Sequence, residues 1–162
     1  MFYYLLKNPE CLDELVREIN TMDDNGELSD PITFAESNRM KYLQACMHEA
    51  MRMHPAVGQL LERLVPEGGA NVAGVWLPGG TIVGVNPWVV SRDKSVYGAD
   101  ADKYRPERWL EADAASLKLM ERNFLAVSIC QSHPFPPGRD LRYVTVNSLF
   151  CAHSLDQGRE HV

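Results

Sequence analysis

Residues 47–55 read MHEAMRMHP, and they place two opposite charges and a stop signal at the end of one helix. Glu49 and Arg52 stand three residues apart, so they are neighbours on a helix surface. Pro55 blocks the next helical hydrogen bond, so the helix is expected to end just before it. Taken alone, such a Glu–Arg pair is typical of a solvated helix face and contributes only about 0.2–0.5 kcal/mol. Whether the pair has a structural role beyond that of an exposed ion pair depends on the other motifs of the sequence.

Two helices with an apolar face precede Pro55. The helix that carries the pair is predicted to run from Asn38 to Met53, because its apolar residues recur at about 100° per residue. The face is formed by Met40, Leu43, Met47, Ala50, Met51 and His54. An earlier helix is predicted to begin at Asn8-Pro9, since Asn can cap free N–H groups and Pro suits the first helical position. Its apolar face is formed by Leu12, Leu15, Val16 and Ile19.

The chain after Pro55 changes to short runs with the composition of β-strands. The runs are QLLERLV (59–65), ANVAGVW (70–76) and TIVGVNPWVV (81–90), separated by PEGG (66–69) and LPGG (77–80). Pro78 and Gly79 fit the two central positions of a type II turn, in which Gly79 would supply the positive φ. The pattern predicts a small antiparallel sheet. A last short helix is expected over residues 114–122.

Composition and charge narrow the class of protein. The 162 residues are 45% hydrophobic and 23% charged, which is ordinary for a globular domain with a sizeable core. The net charge is −6 and the basic residues are scattered, so nucleic acid is not expected as a partner. A membrane span needs about 20 apolar residues, and none is predicted. The four cysteines show no regular spacing, which favours free thiols over a disulfide framework.

The order of the motifs carries a family resemblance that single motifs do not. The series is FYYLLKNP, MHEAMRMHP, RLVPEGG, GVWLPGGTIV, SRDKSVYG, YRPERW and NFLA. It resembles the C-terminal part of cytochrome P450, the heme-thiolate monooxygenase superfamily, and is closest in wording to fungal members similar to pisatin demethylase. The resemblance implies a mainly α fold with a small antiparallel β-sheet, a partial cytochrome P450 fold truncated at both ends. It assigns residues 1–126 to that domain and 127–162 to a non-homologous tail.

The resemblance implies site residues that are structural or orient the cofactor, with none catalytic and none binding metal. Glu49, Arg52 and Arg108 would form a buried network, in which two guanidinium groups share one carboxylate. Arg63 would bind a propionate of the heme cofactor; the alternative is a surface strand arginine. Relatives often have Pro before that Arg, whereas Glu62 stands here and could compete for the guanidinium. Trp109 and Tyr104 are interpreted as packing residues.

The iron-ligating cysteine of the family is expected on a loop after NFLA, in the pattern F-x-x-G-x-R-x-C-x-G. With its Phe position at Val127, the Gly, Arg and Cys positions fall on Cys130, Ser132 and Pro134. Cys130 stands four residues too early to replace the ligand, and a zinc site at Cys130, His133, Cys151 and His153 is attributed to chance spacing. Since a splice-donor sequence translates in frame as Val-Ser, residues from Val127 onward are interpreted as translated intron or a shifted frame.

The function implied by the resemblance is oxidation of an apolar small molecule with O2 and electrons from a reductase. Full-length relatives are usually anchored to the endoplasmic reticulum membrane. The Cys loop is missing, and so is the distal helix that precedes FYYLLKNP in relatives, so the 162 residues by themselves are predicted to be inactive. The alternative is a non-catalytic interaction polypeptide, or a gene-model fragment without function.

Overall fold

The computed structural model describes residues 1–125, and the expectations about 127–162, the cysteine loop included, lie outside them. The described residues divide into two compact units. The first comprises Met1–Ala50 and Lys103–Asp113, and the second comprises Met51–Asp102 and the described residues from Ala114 onward. The expected class, mainly α with antiparallel strands, is confirmed. Among residues 1–125 no helix is long and apolar enough to cross a bilayer.

The first unit is entirely helical in the described part of the chain. Its elements are α1 (Phe2–Lys7), α2 (Pro9–Asp24), α3 (Phe34–Ser37), most of α4 (Lys41–Met53), and α7 (Arg108–Glu111). Its buried core includes Leu5, Leu15, Ile19, Met40, Leu43 and Cys46. Leu15, Ile19, Met40 and Leu43 belong to the predicted faces and are buried, whereas Val16, also predicted, is 40% exposed. The period of apolar residues therefore identified the core only in part.

The start of α2 confirms the predicted position but not the predicted cap. Pro9 occupies the first turn, as expected, but Asn8 makes no side-chain cap to α2. Its Nδ2 donates instead to the Tyr4 carbonyl oxygen at 2.7 Å. Because Asn8 also ends α1, its side chain satisfies a carbonyl that α1 leaves free at its C-terminus.

The start of α4 lies three residues later than predicted, at Lys41 rather than Asn38. Glu18 of α2 caps this end: its Oε1 accepts from the Tyr42 N–H at 2.8 Å, and its Oε2 accepts from the Leu43 N–H at 3.0 Å. The cap comes from another helix, so no local sequence signal marks it.

Helix α3, which the sequence analysis missed, begins with a capping box. Thr33 Oγ1 accepts from the Glu36 N–H, and Glu36 Oε2 accepts from the Thr33 N–H at 2.6 Å. Ser29 Oγ donates to the same carboxylate oxygen at 2.8 Å. These hydrogen bonds, the Thr33 backbone bond first, lower the pKa of Glu36 to about 2.

The capping box predicts a dependence of stability on pH. Because the pKa of Glu36 falls from 4.5 to about 2 on folding, its stabilisation is complete above pH 4.5 and is lost as the pH falls towards 2. We expect the unmodified chain to lose stability faster than Glu36→Gln across that interval, measured by urea unfolding at several pH values. Glu121→Gln, which removes an exposed carboxylate elsewhere, is the control. Parallel pH profiles for the unmodified chain and Glu36→Gln would contradict the assignment.

The second unit contains two short antiparallel sheets where one was predicted. Strand β1 (Leu61–Leu64) pairs with β4 (Ile82–Val85), and β2 (Ala70–Val72) pairs with β3 (Val75–Leu77). Its short helices are α5 (Pro87–Val90) and α6 (Lys94–Tyr97), and α8 (Ala114–Arg122) has the predicted bounds. The hydroxyl of Tyr97 in α6 donates to the Met120 carbonyl oxygen of α8 at 3.3 Å.

Two local predictions in the second unit were wrong. The positive φ of the LPGG turn, +83°, is at Gly80 and not at Gly79, because Pro78 is the first residue of the turn and its carbonyl oxygen accepts from the Thr81 N–H. The third apolar run, residues 81–90, was predicted as a strand throughout, but its strand ends at Val85. After Val85 the Asn86 side chain accepts from the Trp88 N–H at 2.9 Å and starts α5, so a cap-and-proline signal ends the strand.

Candidate functional site

The carboxylate of Glu49 is the centre of the candidate site in the first unit. Its side chain is completely buried in α4. Its Oε1 accepts from the Arg105 backbone N–H at 3.0 Å and lies 3.5 Å from Arg108 Nε. Its Oε2 accepts from Trp109 Nε1 at 2.9 Å. These three donors all belong to the YRPERW segment, so one carboxylate holds that segment onto α4.

Burial makes the pair of Glu49 and Arg108 different from an exposed ion pair. The two side chains are 0% and 4% exposed, respectively. An isolated buried charge is very costly, and the cost is offset only by a partner and by hydrogen bonds to the remaining lone pairs. The arrangement therefore depends on each charge retaining the other.

Two residues interpreted as packing residues also make polar contacts with the core. Trp109 donates its indole N–H to Glu49, and Tyr104 donates its hydroxyl to the Cys46 carbonyl oxygen at 3.1 Å. The Tyr104 ring also stacks on Tyr4, with centroids 5.1 Å apart. Buried Trp and Tyr usually find a partner for the N–H or O–H, and this was the signal available in the sequence.

Arg52 is completely buried and organises a loop of the second unit. Its Nη1 donates to the carbonyl oxygens of Ser91, at 2.5 Å, and Ala101, at 2.7 Å. Its guanidinium carbon also lies 5.0 Å from the centroid of the Tyr97 ring. A single side chain thus joins the two ends of the segment from 91 to 101, which includes α6.

Arg63 lies on the exposed strand β1, opposite Val83 of β4. Its Nη1 donates to the backbone carbonyl oxygen of Glu62 at 2.8 Å. In this bond the acceptor is the main chain of Glu62 and not its carboxylate, which the sequence analysis had named as a competitor. The guanidinium is accessible to a ligand that approaches the surface of the sheet.

The cysteines of residues 1–125 do not fit the iron of a heme. Cys11 and Cys46 are both buried and free. Burial raises the pKa of Cys11 and raises that of Cys46 to about 12, so both remain thiols at neutral pH, whereas iron binds the thiolate. Within residues 1–125 no group of three or more His, Cys, Asp or Glu side chains is placed to hold a metal ion. The described cysteines therefore do not fit the iron of a heme.

An E-x-x-R helix whose glutamate is buried against a P-E-R-W segment, in a chain whose second unit contains small antiparallel sheets, defines the scaffold of a heme-thiolate oxidoreductase. The chain belongs to the cytochrome P450 family, whose family model matches residues 1–139. It is 50% identical over 113 residues to cytochrome P450 monooxygenase cicH of Emericella nidulans and 46% identical over 113 residues to pisatin demethylase of Fusarium vanettenii. It is 42% identical over 111 residues to cytochrome P450 monooxygenase hepC of Aspergillus oryzae. The predicted resemblance to fungal members is confirmed.

The chain spans only part of these relatives. The matched residues are 70%, 70% and 68% of this chain but 23%, 21% and 22% of cicH, pisatin demethylase and hepC, respectively. The activity of the whole relatives therefore enters below as a proposal.

The family match extends to Arg139, past Ala126, where the resemblance was predicted to end. The added residues include Phe135 and Gly138, which have the F-x-x-G spacing of the cysteine-loop pattern. In this second register the Cys position falls on Arg142, so neither register places a cysteine at the position of the iron ligand.

Proposed function

We propose that these residues are a scaffold segment of a heme-dependent monooxygenase and that the 162 residues by themselves do not catalyse the reaction. The observation that carries the proposal is the buried Glu49 carboxylate, which binds the YRPERW segment through Arg105, Arg108 and Trp109. In the proposed scaffold Arg52 joins Glu49 and Arg108 as the third member of the network. A heme, when bound, supplies the oxygen-activating chemistry of the family.

Arg63 is proposed to bind a heme propionate. Its exposure on β1 and its bond to a main-chain carbonyl support this role, because they leave the Glu62 carboxylate out of that contact. A guanidinium meets a carboxylate with two parallel hydrogen bonds, which gives direction as well as attraction. The partners proposed for the whole enzyme are a reductase and an apolar small molecule. Two of the relatives are named monooxygenases and one a demethylase, and no residue of this chain is assigned to substrate.

The test uses the 162-residue chain, hemin, dithionite and carbon monoxide. We expect hemin to bind without the red-shifted Soret band of a thiolate-ligated ferrous–CO complex, since no cysteine stands at the ligand position. Arg63→Gln is expected to weaken hemin binding by about 2- to 10-fold. Arg122→Gln, the same charge change on an exposed part of α8, is the control.

Two results would contradict the two parts of the proposal separately. A thiolate-type band, with oxidation of an added apolar compound, would show that the chain is active by itself. Equal hemin affinity of the unmodified chain and Arg63→Gln would remove Arg63 from the cofactor site and leave the scaffold to be tested on Glu49.

A non-catalytic interaction polypeptide is the second candidate, favoured by the exposed apolar side chains of the sheets. Leu64 and Ile82, paired across β1 and β4, are 68% and 65% exposed, and Trp76 of β3 is 64% exposed. Contiguous exposed apolar surface is typical of interaction sites. Sedimentation of the purified chain distinguishes the scaffold from the interaction polypeptide. If the chain associates, Leu64→Glu abolishes the association and hemin does not bind, the second candidate is favoured.

We further propose that residues 127–162 are translated intron or a shifted reading frame, as in a gene-model fragment. The support is Val127-Ser128, the in-frame translation of a splice donor, together with the missing iron ligand in both registers. Sequencing the transcript across the Ala126 codon decides the matter. A spliced message that encodes the same 36 residues would rule the proposal out.

A further inference from the structure

The indole N–H of Trp109 is aimed at a buried carboxylate. Its Nε1 lies 2.9 Å from Glu49 Oε2, whereas the Arg105 N–H and Arg108 Nε approach Oε1. Each oxygen of the carboxylate therefore accepts from the YRPERW segment, and Oε2 does so from the indole. A ring of similar size without the N–H would fill the same space and withdraw a donor from Oε2.

The neighbours of Trp109 hold the ring in this orientation. His48, one residue before Glu49 in α4, lies against the indole with ring centroids 5.2 Å apart and planes tilted by 38°. The His48 ring is itself fixed, because its Nδ1 lies 2.8 Å from the Gln44 carbonyl oxygen. The indole thus meets α4 at two successive residues, through a tilted ring contact at His48 and through its N–H at Glu49.

We propose that Trp109 is a positioning residue that orients the Glu49 carboxylate, so that the last residue of P-E-R-W acts here as a hydrogen-bond donor and not only as an aromatic filler. The proposal deepens the proposed scaffold function and rests on it. A hydrogen bond to a charged group stabilises a protein more than a neutral one does, and an acceptor left buried without its donor is costly. Trp109→Phe is therefore expected to raise the unfolding equilibrium constant by roughly 10- to 150-fold.

A double-mutant cycle isolates the hydrogen bond from ring packing. Trp109→Phe is compared in the unmodified chain and in Glu49→Gln, with urea unfolding as the measurement. If the indole acts through the carboxylate, the roughly 10- to 150-fold effect shrinks to a few-fold when Gln stands at 49. An equal effect in both backgrounds would mean that Trp109 contributes packing alone, and would overturn the proposal.

A spectroscopic measurement tests the same hydrogen bond without measuring stability. The chain has three tryptophans, and Trp76 and Trp88 are 64% and 40% exposed. In a 15N-labelled sample we expect three indole N–H signals, of which that of Trp109 exchanges most slowly with solvent and moves upfield in Glu49→Gln. Glu62→Gln, which removes an exposed carboxylate, is the control and is expected to leave the Trp109 indole signal unshifted.

Exchange of the Trp109 signal as fast as that of Trp76, or no movement of it in Glu49→Gln, would overturn the proposal. None of these measurements uses hemin, so they remain decisive if Arg63 proves not to bind a propionate. Conversely, hemin binding through Arg63 says nothing about the indole. The two proposals can therefore fail separately.

Discussion

Glu49→Ala is expected to destabilise the chain by about 3–5 kcal/mol, because it removes a buried carboxylate that pairs with the buried guanidinium of Arg108. Arg108 is 4% exposed, so water cannot take the place of the lost partner. The substitution also removes the acceptor of the Arg105 N–H and the Trp109 indole N–H. A domain is commonly stable by only about 5–15 kcal/mol, so the change should remove much of the total. Urea unfolding followed by circular dichroism measures it.

The control for Glu49→Ala is the same substitution in an exposed ion pair. Glu14 and Arg17 pair on the surface of α2, with side chains 40% and 70% exposed. Glu14→Ala is expected to cost at most about 1 kcal/mol, since solvent screens the pair. If the two substitutions cost the same, burial does not decide the strength of the Glu49 network.

Arg52→Met is expected to cost about 2–6 kcal/mol, although Met fills much of the same space. The loss comes from two backbone carbonyl groups, those of Ser91 and Ala101, whose donor disappears. Each buried acceptor left without a partner costs about 1–3 kcal/mol. Hydrogen exchange should show the effect locally, with the amides from 91 to 101 losing protection first.

Arg63→Met is the matched control, because Arg63 is exposed and its Nη1 donates to the carbonyl of the adjacent residue. A surface substitution of this kind usually changes stability by less than about 0.5 kcal/mol. If Arg52→Met and Arg63→Met lower the free energy of unfolding equally, Arg52 does not organise the loop. Unchanged hydrogen exchange of the amides from 91 to 101 in Arg52→Met would also contradict that role.

Local signals predicted the elements where they were strong and failed where the deciding partner was distant. The period of apolar residues located α4, and the bounds of α8 were predicted correctly. The start of α4 was misplaced because Glu18, on another helix, supplies its cap. Asn86 and Pro87 carried a helix-start signal that the β-rich composition around them concealed.

The sequence by itself determined the family, because seven motifs in a fixed order are far more specific than any one of them. It also predicted, from the order of residues after the N-F-L-A motif, that no cysteine stands at the iron-ligand position. Only the tertiary structure decided what each charged group binds. Glu49 receives an indole N–H from 60 residues away and Arg52 donates to carbonyls up to 49 residues away. The physical reason is that a buried charge takes whichever partner the packing of distant segments brings within about 3 Å, and motif spacing carries no such information.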